Sequence, residues 1–421
     1  MTVVPLDPQH VRGHFPSLTR EFAGRPVVYA DGPGGTQVPA VVPAAMAAYL
    51  ATSNANFGGR FITSRETNAL VADVRTGVAH LLNAASPDEI VFGQNMTSLT
   101  FAMSRAVART WQPGDEVIVS ALDHDANVQP WRLAAEERGA VVRLLPCERG
   151  DLGLSVERLV GLLSPRTRLV ALTCASNAVG TLVDLPPLIH AAHAVGALCY
   201  LDAVHYAPHG VIDVQALDCD FLACSAYKFS GPHLGILYGR HALLESLTAY
   251  KVRPSSSVSP GKWETGTQNT EALSGLHACL GYFAALGHDA TLGDGTDALP
   301  SRAALSHAQA RIHAHELELT RRFLTGVAAI PALTVHGIAN PAHAALRTPT
   351  FGLTCATASP RRLCEGLAAR GVFAWDGHFY AQELIAQLGL AEAGGLLRIG
   401  FAHYTTSDEV DRVLDALREL T

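Results

Sequence analysis

Three nearly unbroken apolar runs, RLVALTCA (168–175), LCYLDAV (198–204) and FLACSAY (221–227), constrain this chain more than any other feature. A strand with one wet face alternates apolar and polar residues. A run without that alternation belongs to a strand covered on both faces, the pattern of parallel sheets. VVRLLP (141–146) reads the same way, and PVVYAD (26–31), EIVFG (89–93) and EVIVSAL (116–122) read as further strands. Helical patterns fall between them at 39–53, at 98–110, at 128–139 where Gly139 closes the helix, and at the crossover 185–196. Strand and helix alternate, so the expected large domain is a doubly wound, mostly parallel α/β sheet.

The texture changes near residue 285. GHDATLGDGTDALPSRAAL (287–305) is rich in Gly and Asp and reads as a loop or lid feeding a long helix, roughly 303–329. ALTVHG, TPTFGLTC, GVFAWD and LLRIGFAHY then read as strands of a smaller α+β C-terminal domain that ends in a helix from Ser407. The expected division is an N-terminal segment, 1–25, packing with the small domain, a large domain over 26–285, and the small domain over 286–421. DGPGGT (31–36) is Gly-rich but lacks the strand-turn-helix spacing of a dinucleotide or nucleoside-triphosphate loop.

Composition narrows the function classes. With 48% hydrophobic and 16% charged residues, the chain is not disordered. A net charge of −7 argues against a nucleic-acid face. No apolar run is long enough to cross a membrane, and the N-terminus has no basic stretch followed by an apolar one, so neither a membrane nor a secretory route is expected. None of the eight cysteines forms a CxxC pair and most lie in apolar runs. They read as buried thiols in a reducing cytoplasm, with no metal site and no disulfide framework.

The chemistry concentrates at strand ends. Asp202 closes one buried run, and Lys228 follows the next in Ser225-Ala226-Tyr227-Lys228. Ligands of open α/β sheets bind at the carboxyl ends of strands. A lysine placed there is a candidate Schiff-base nucleophile, because desolvation frees its amine from a proton. An aspartate one strand earlier suits a pyridinium nitrogen, whose protonation turns the ring into an electron sink. Asn95-Met96-Thr97-Ser98 lies between a strand and a helix, where free amides and the helix dipole favour an anion.

These motifs resemble the pyridoxal-phosphate (PLP) lysine region of class V aminotransferases, the fold-type I group that contains the cysteine desulfurases. The resemblance runs from about residue 25 to 415 and includes NAN..G at 54–59, ETGTQN at 264–269 and WDG..YA at 375–381. It implies that Met96, Thr97 and Ser225 bind the cofactor phosphate and that Lys228 carries the cofactor. Asp202 meets the ring nitrogen, His124 stacks on the ring, and Asn177 and His205 meet the ring hydroxyl. His205 departs from the glutamine usual in desulfurases. Arg398 and Asn177 bind the substrate carboxylate. Thr267 reaches the partner's phosphate, which implies a homodimer with shared sites. Phe57 and Arg60 sit on an entrance loop as substrate selectors.

One departure matters most. Desulfurases of the RxGHHC pattern need a thiolate that attacks the sulfur of cysteine. Here the corresponding run is Trp375-Asp376-Gly377-His378-Phe379-Tyr380, with Tyr380 at the cysteine position. A phenol forms no persulfide. The expected activity is therefore PLP-dependent C–S cleavage of an S-substituted cysteine by β-elimination, with Lys228, His124 and Tyr380 catalytic. Antibiotic-pathway relatives that process S-cysteinyl conjugates make specialised metabolism the expected setting. Decarboxylation-dependent deamination, transamination and epimerisation remain open, because each starts from the same bound amino acid. A non-catalytic binding protein is the reading from another class. The intact set of Lys228, Asp202, His124 and Arg398 argues against it.

Overall fold

Seven strands form the larger sheet of the computed structural model, which describes residues 6–288 and 299–421. They are β1 (Ile90–Gly93), β2 (Glu116–Ser120), β3 (Val141–Leu145), β4 (Thr167–Thr173), β5 (Leu198–Asp202), β6 (Phe221–Ser225) and β7 (Gly235–Gly239). Their order across the sheet is β1-β7-β6-β5-β4-β2-β3. Only β7 runs against its neighbours, β1 and β6. The other contacts are parallel.

Apolar side chains explain why the sheet lies inside the molecule. Every residue of β2, β6 and β7 is buried. Helices cover both faces. On one side Trp131, Met103 and Val107 pack over Tyr200 and Phe221; on the other Leu188, Ile189 and Leu280 pack over Leu172 and Leu201. β3 departs from the expectation of a strand covered on both faces, since four of its five residues are exposed or half-buried. It is the sheet edge, and Arg143 on it pairs with Glu116 at 2.6 Å.

The smaller sheet is antiparallel. Its strands are β8 (Leu333–His336), β9 (Thr350–Cys355), β10 (Trp375–Gly377) and β11 (Leu396–Gly400), in the order β8-β9-β11-β10. Phe351 on β9 packs its ring 4.2 Å from Phe323 on the long helix Arg302–Val327. The helix Ser407–Leu420 lays Val410, Val413 and Leu417 on the same core. Within the run 26–31, Val28–Tyr29 forms a strand, and Pro26 ends a separate short strand, Arg25–Pro26, paired with Glu21–Phe22. Val28–Tyr29 pairs with Val372–Phe373 beside this smaller core rather than with the larger sheet. Near the N-terminus, Arg12 pairs with Glu409 at 2.8 Å and Phe15 packs against Tyr404.

Helices Ile62–Leu82 and Thr270–His288 add to those expected from the sequence. Of the expected loop 287–305, the ends are helical up to His288 and again from Arg302; residues 289–298 lie outside the described residues. No helix among the described residues is long and apolar enough to cross a membrane.

Candidate active site

The carboxyl ends of β1, β2, β4, β5 and β6 open onto one cavity of about 420 Å³. β10 and β11 close it from the other side through Trp375, Asp376, Gly377 and Arg398. Of the residues singled out in the sequence, Met96, Thr97, His124, Asn177, Asp202, His205, Ser225, Lys228, Tyr380 and Arg398 all line it. Phe57, Arg60 and Thr267 do not.

Lys228 sits in a short turn, Ala226–Phe229, that follows β6 directly. Its Nζ donates to the Pro33 carbonyl. Burial, reinforced by repulsion from Arg398, lowers its pKa to about 7; Asp202 pulls the other way. Asp202 is buried at the tip of β5, where its Oδ1 accepts from the Val204 amide at 2.8 Å. Burial raises its pKa to about 6, against that hydrogen bond and the Lys228 charge.

An anion cradle lies at the far end. Asn95 caps the helix Met96–Ala108 and accepts from the Ser98 amide at 2.9 Å, a contact worth about 1 kcal/mol. This helix begins two residues before the sequence pattern suggested, so Met96 and Thr97 form its first turn. The Met96 amide donates to Ser225 Oγ at 3.0 Å. Met96, Thr97 and Ser225 line the cavity at this helix start, where the positive dipole end favours an anion.

His124 Nδ1 accepts from the Ala126 amide at 3.0 Å. That bond leaves the ring proton on Nε2 in the neutral form. Burial, with Lys228 and Arg398 nearby, lowers its pKa to about 4. Arg398 is buried on β11. Its Nη1 donates to the Asn177 carbonyl at 2.9 Å, and its guanidinium lies 4.2 Å from the Phe379 ring centroid. Its Nε has no partner, and neither does Asn177 Oδ1, although both atoms are buried. Buried polar atoms without partners at one cavity fit a bound polar ligand. The Asn177 amide also donates to the Phe379 carbonyl at 2.9 Å.

Phe379 and Tyr380 both hold positive φ, 53° and 58°. Side chains other than glycine adopt this region at a cost of roughly 1–2 kcal/mol each. The Asn177 bond to the Phe379 carbonyl and a bond of 2.7 Å from the Asp125 amide to the Tyr380 carbonyl hold the turn against the larger sheet. Strain tied down in this way is characteristic of functional loops.

Three contributors were not legible from motifs. Pro33 and Gly34 line the cavity, and Asp31, half-buried with its buried Oδ1 unpartnered, faces Arg398. Burial raises the Asp31 pKa to about 6, with Arg398 opposing the shift. The available signal was the density of Gly and Pro in 31–36, which marks close backbone approach rather than a nucleotide loop. Thr267 and Phe57 meet elsewhere, in a groove with Arg75 and Glu264. Arg75 and Glu264 form a two-pronged ion pair at 2.7 and 3.0 Å. Arg60 offers its carbonyl to Arg65 at 2.6 Å, and Phe57 is 69% exposed.

A family model described as aminotransferase class-V matches residues 28–298 and 301–413. A cysteine desulfurase of Dickeya dadantii (strain 3937) is 32% identical over 431 residues, covering 99% of this chain and 97% of that protein. The solved structure of the cysteine desulfurase CsdA from Escherichia coli superposes with a TM-score of 0.81 at 28% identity, covering 99% of both chains. An apo cysteine desulfurase from Thermococcus onnurineus NA1 shares the fold at a TM-score of 0.85 and 23% identity, over 100% of this chain and 99% of that one.

Proposed function

The chain belongs to the aminotransferase class-V family, and on that premise we propose that it is a PLP enzyme that cleaves the C–S bond of an S-substituted cysteine by β-elimination. One observation carries this reading. A single cavity joins Lys228, Asp202, His124 and Arg398, and no cysteine among the described residues lines it. Tyr380 stands on its rim in place of a sulfur-accepting thiol.

The residues fit the cofactor. The Met96 and Thr97 amides with the Ser225 hydroxyl would hold its phosphate. Asp202 would hold a proton on the ring nitrogen, and His124 would cover one ring face. Asn177, with Oδ1 unpartnered, and His205 would meet the ring hydroxyl. When bound, the cofactor supplies an electron sink next to the substrate Cα.

The chain's own groups then select the bond. Arg398 would fork onto the carboxylate and orient the Cα–H bond for removal. Lys228, with its pKa brought to about 7, is the base that takes the Cα proton. The Tyr380 hydroxyl would give a proton to the departing thiolate. Water completes the balance, yielding pyruvate, ammonia and a thiol. The Thr267 hydroxyl would serve the site of a second copy, and Phe57 and Arg60 would border its entrance, so the active form is a homodimer. Eight free thiols support a reducing cytoplasm as the setting, and S-cysteinyl conjugates of specialised metabolism are the proposed substrate class.

The test is to incubate the cofactor-loaded enzyme with S-alkylcysteines and identify products by mass. Pyruvate plus thiol is the expected result. Carbon dioxide with an S-substituted aldehyde would replace β-elimination by decarboxylative deamination. Conversion of the cofactor to its amine form without thiol release would make the enzyme an aminotransferase.

A further inference from the structure

Behind the active-site cavity lies a second cavity of about 40 Å³, lined by His209, Glu316, Arg347 and Thr348 among others. His205 stands between the two. It lines the first cavity and shares a hydrogen bond of 3.1 Å between Nε2 and Thr348 Oγ1. On the far side, His209 Nδ1–H donates to Glu316 Oε2 at 2.8 Å. Glu316 Oε1 is buried and has no partner. A polar cavity of this size has room for about one or two waters, and a water there gains several polar partners.

We propose that this cavity holds an ordered water, and that the water closes a hydrogen-bonded chain, His205–Thr348–water–Glu316–His209, coupling the protonation of the buried Glu316–His209 pair to the active site. The Thr348 hydroxyl rotates, so its proton serves either the Gly180 carbonyl, 3.3 Å away, or the water. When His205 takes a proton from the solvent of the active-site cavity at its other ring nitrogen, its Nε2–H bond breaks as a Thr348 O–H bond forms. The displaced hydroxyl proton passes to the water, and a water proton passes to the Glu316 carboxylate. One proton moves and no electron is exchanged. The groups facing His209 from the surrounding elements are Glu316 and His313 on the long helix, Arg347 and Thr348 before β9, His205 and Tyr206 on its own loop, and His403 after β11. Arg347 directs its guanidinium to the carbonyls of Ile338, Val179 and Thr350, which leaves Glu316 to His209 and the water. Burial, then His209, Lys228 and Arg398, disfavour a second proton on His205.

The test is nitrogen NMR of the full chain labelled at histidine, titrated without cofactor and assigned from single-histidine substitutions. The wild-type His205 ring signals are expected to report the exchange of its proton between the two ring nitrogens as pH changes. In Thr348→Val, His205 is expected to lose that response, and Thr348→Ser is expected to restore it. Glu316→Gln is expected to abolish the His205 response by a second route. A His205 signal silent in the wild type, or unchanged in Thr348→Val, overturns the proposal, as does a crystal structure with no ordered water in the cavity. No cofactor takes part, so a failure here leaves the β-elimination reading standing, and the reverse holds.

Discussion

The Tyr380 phenol lies nearly face to face with the His124 imidazole, with ring centroids 5.2 Å apart and planes 25° from parallel. His124 comes from the end of β2, and Tyr380 from the strained turn after β10. The contact ties a left-handed residue of the rim to the wall of the larger sheet, and it places a hydroxyl where the resemblance to desulfurases would put a thiol.

Tyr380→Phe keeps the stack and removes only the O–H group. Activity on substrates that release a basic alkyl thiolate should fall about 10²–10⁴-fold, the usual worth of a positioned acid. Substrates that release an acidic aryl thiolate need no such help and should lose little. The check is kcat across a series of S-substituents. Equal losses throughout would remove Tyr380 as the acid.

Lys228→Ala should abolish turnover, because it deletes both the attachment amine and the base. Borohydride reduction of the wild type followed by peptide mass analysis should find the cofactor on Lys228. Turnover retained in the variant would contradict the mechanism.

Lys228 also leaves a signature in stability without cofactor. Its pKa falls to about 7 in the folded chain from an ordinary 10.5. Below pH 7 the amine is protonated in both states and the folded state bears the full cost of the buried charge. Between about 7 and 10.5 the folded state sheds its proton first and the cost fades. Lys228→Met should therefore raise Tm most below pH 7, with the gain shrinking as pH climbs to 10.5. Thermal melts of the two cofactor-free proteins across that range measure it, and a pH-independent difference would count against the buried amine.

Arg398→Ala should act mainly on binding. Hydrogen bonds to charged groups are worth about 1.5–3 kcal/mol, so KM should rise about 10- to 100-fold. Initial rates over a wide substrate range separate this from a loss in kcat. An unchanged KM would move carboxylate binding to another residue.

Ser225→Ala and Thr267→Ala should both weaken cofactor retention, by about tenfold each for one lost charge-assisted hydrogen bond. Thr267 lies outside the cavity of its own chain, so an effect there requires a neighbouring copy. Equilibrium dialysis measures retention and light scattering measures mass. A monomer that retains cofactor equally in both forms would sink the shared site.

Much of this architecture was legible because its causes are local. Unbroken apolar runs such as FLACSAY have no wet face to offer, so they become covered strands and set their ends, Asp202 and Ser225, at one rim. The Asn95–Ser98 capping pattern marks a helix start, and that start borders the cavity. What stayed hidden depends on partners distant in the chain. Val28–Tyr29 and Val141–Leu145 read as ordinary strands, yet one pairs with Val372–Phe373 and the other forms the sheet edge. Apolar pattern says nothing about which neighbour supplies a strand's hydrogen bonds, and at Val141–Leu145 it does not ensure burial either. The approach of Pro33 to Lys228, the placement of Asp31 by Arg398 and the left-handed turn at Phe379–Tyr380 were likewise decided only in three dimensions. Each is held by contacts made after the larger and smaller sheets meet, and no local periodicity encodes that meeting.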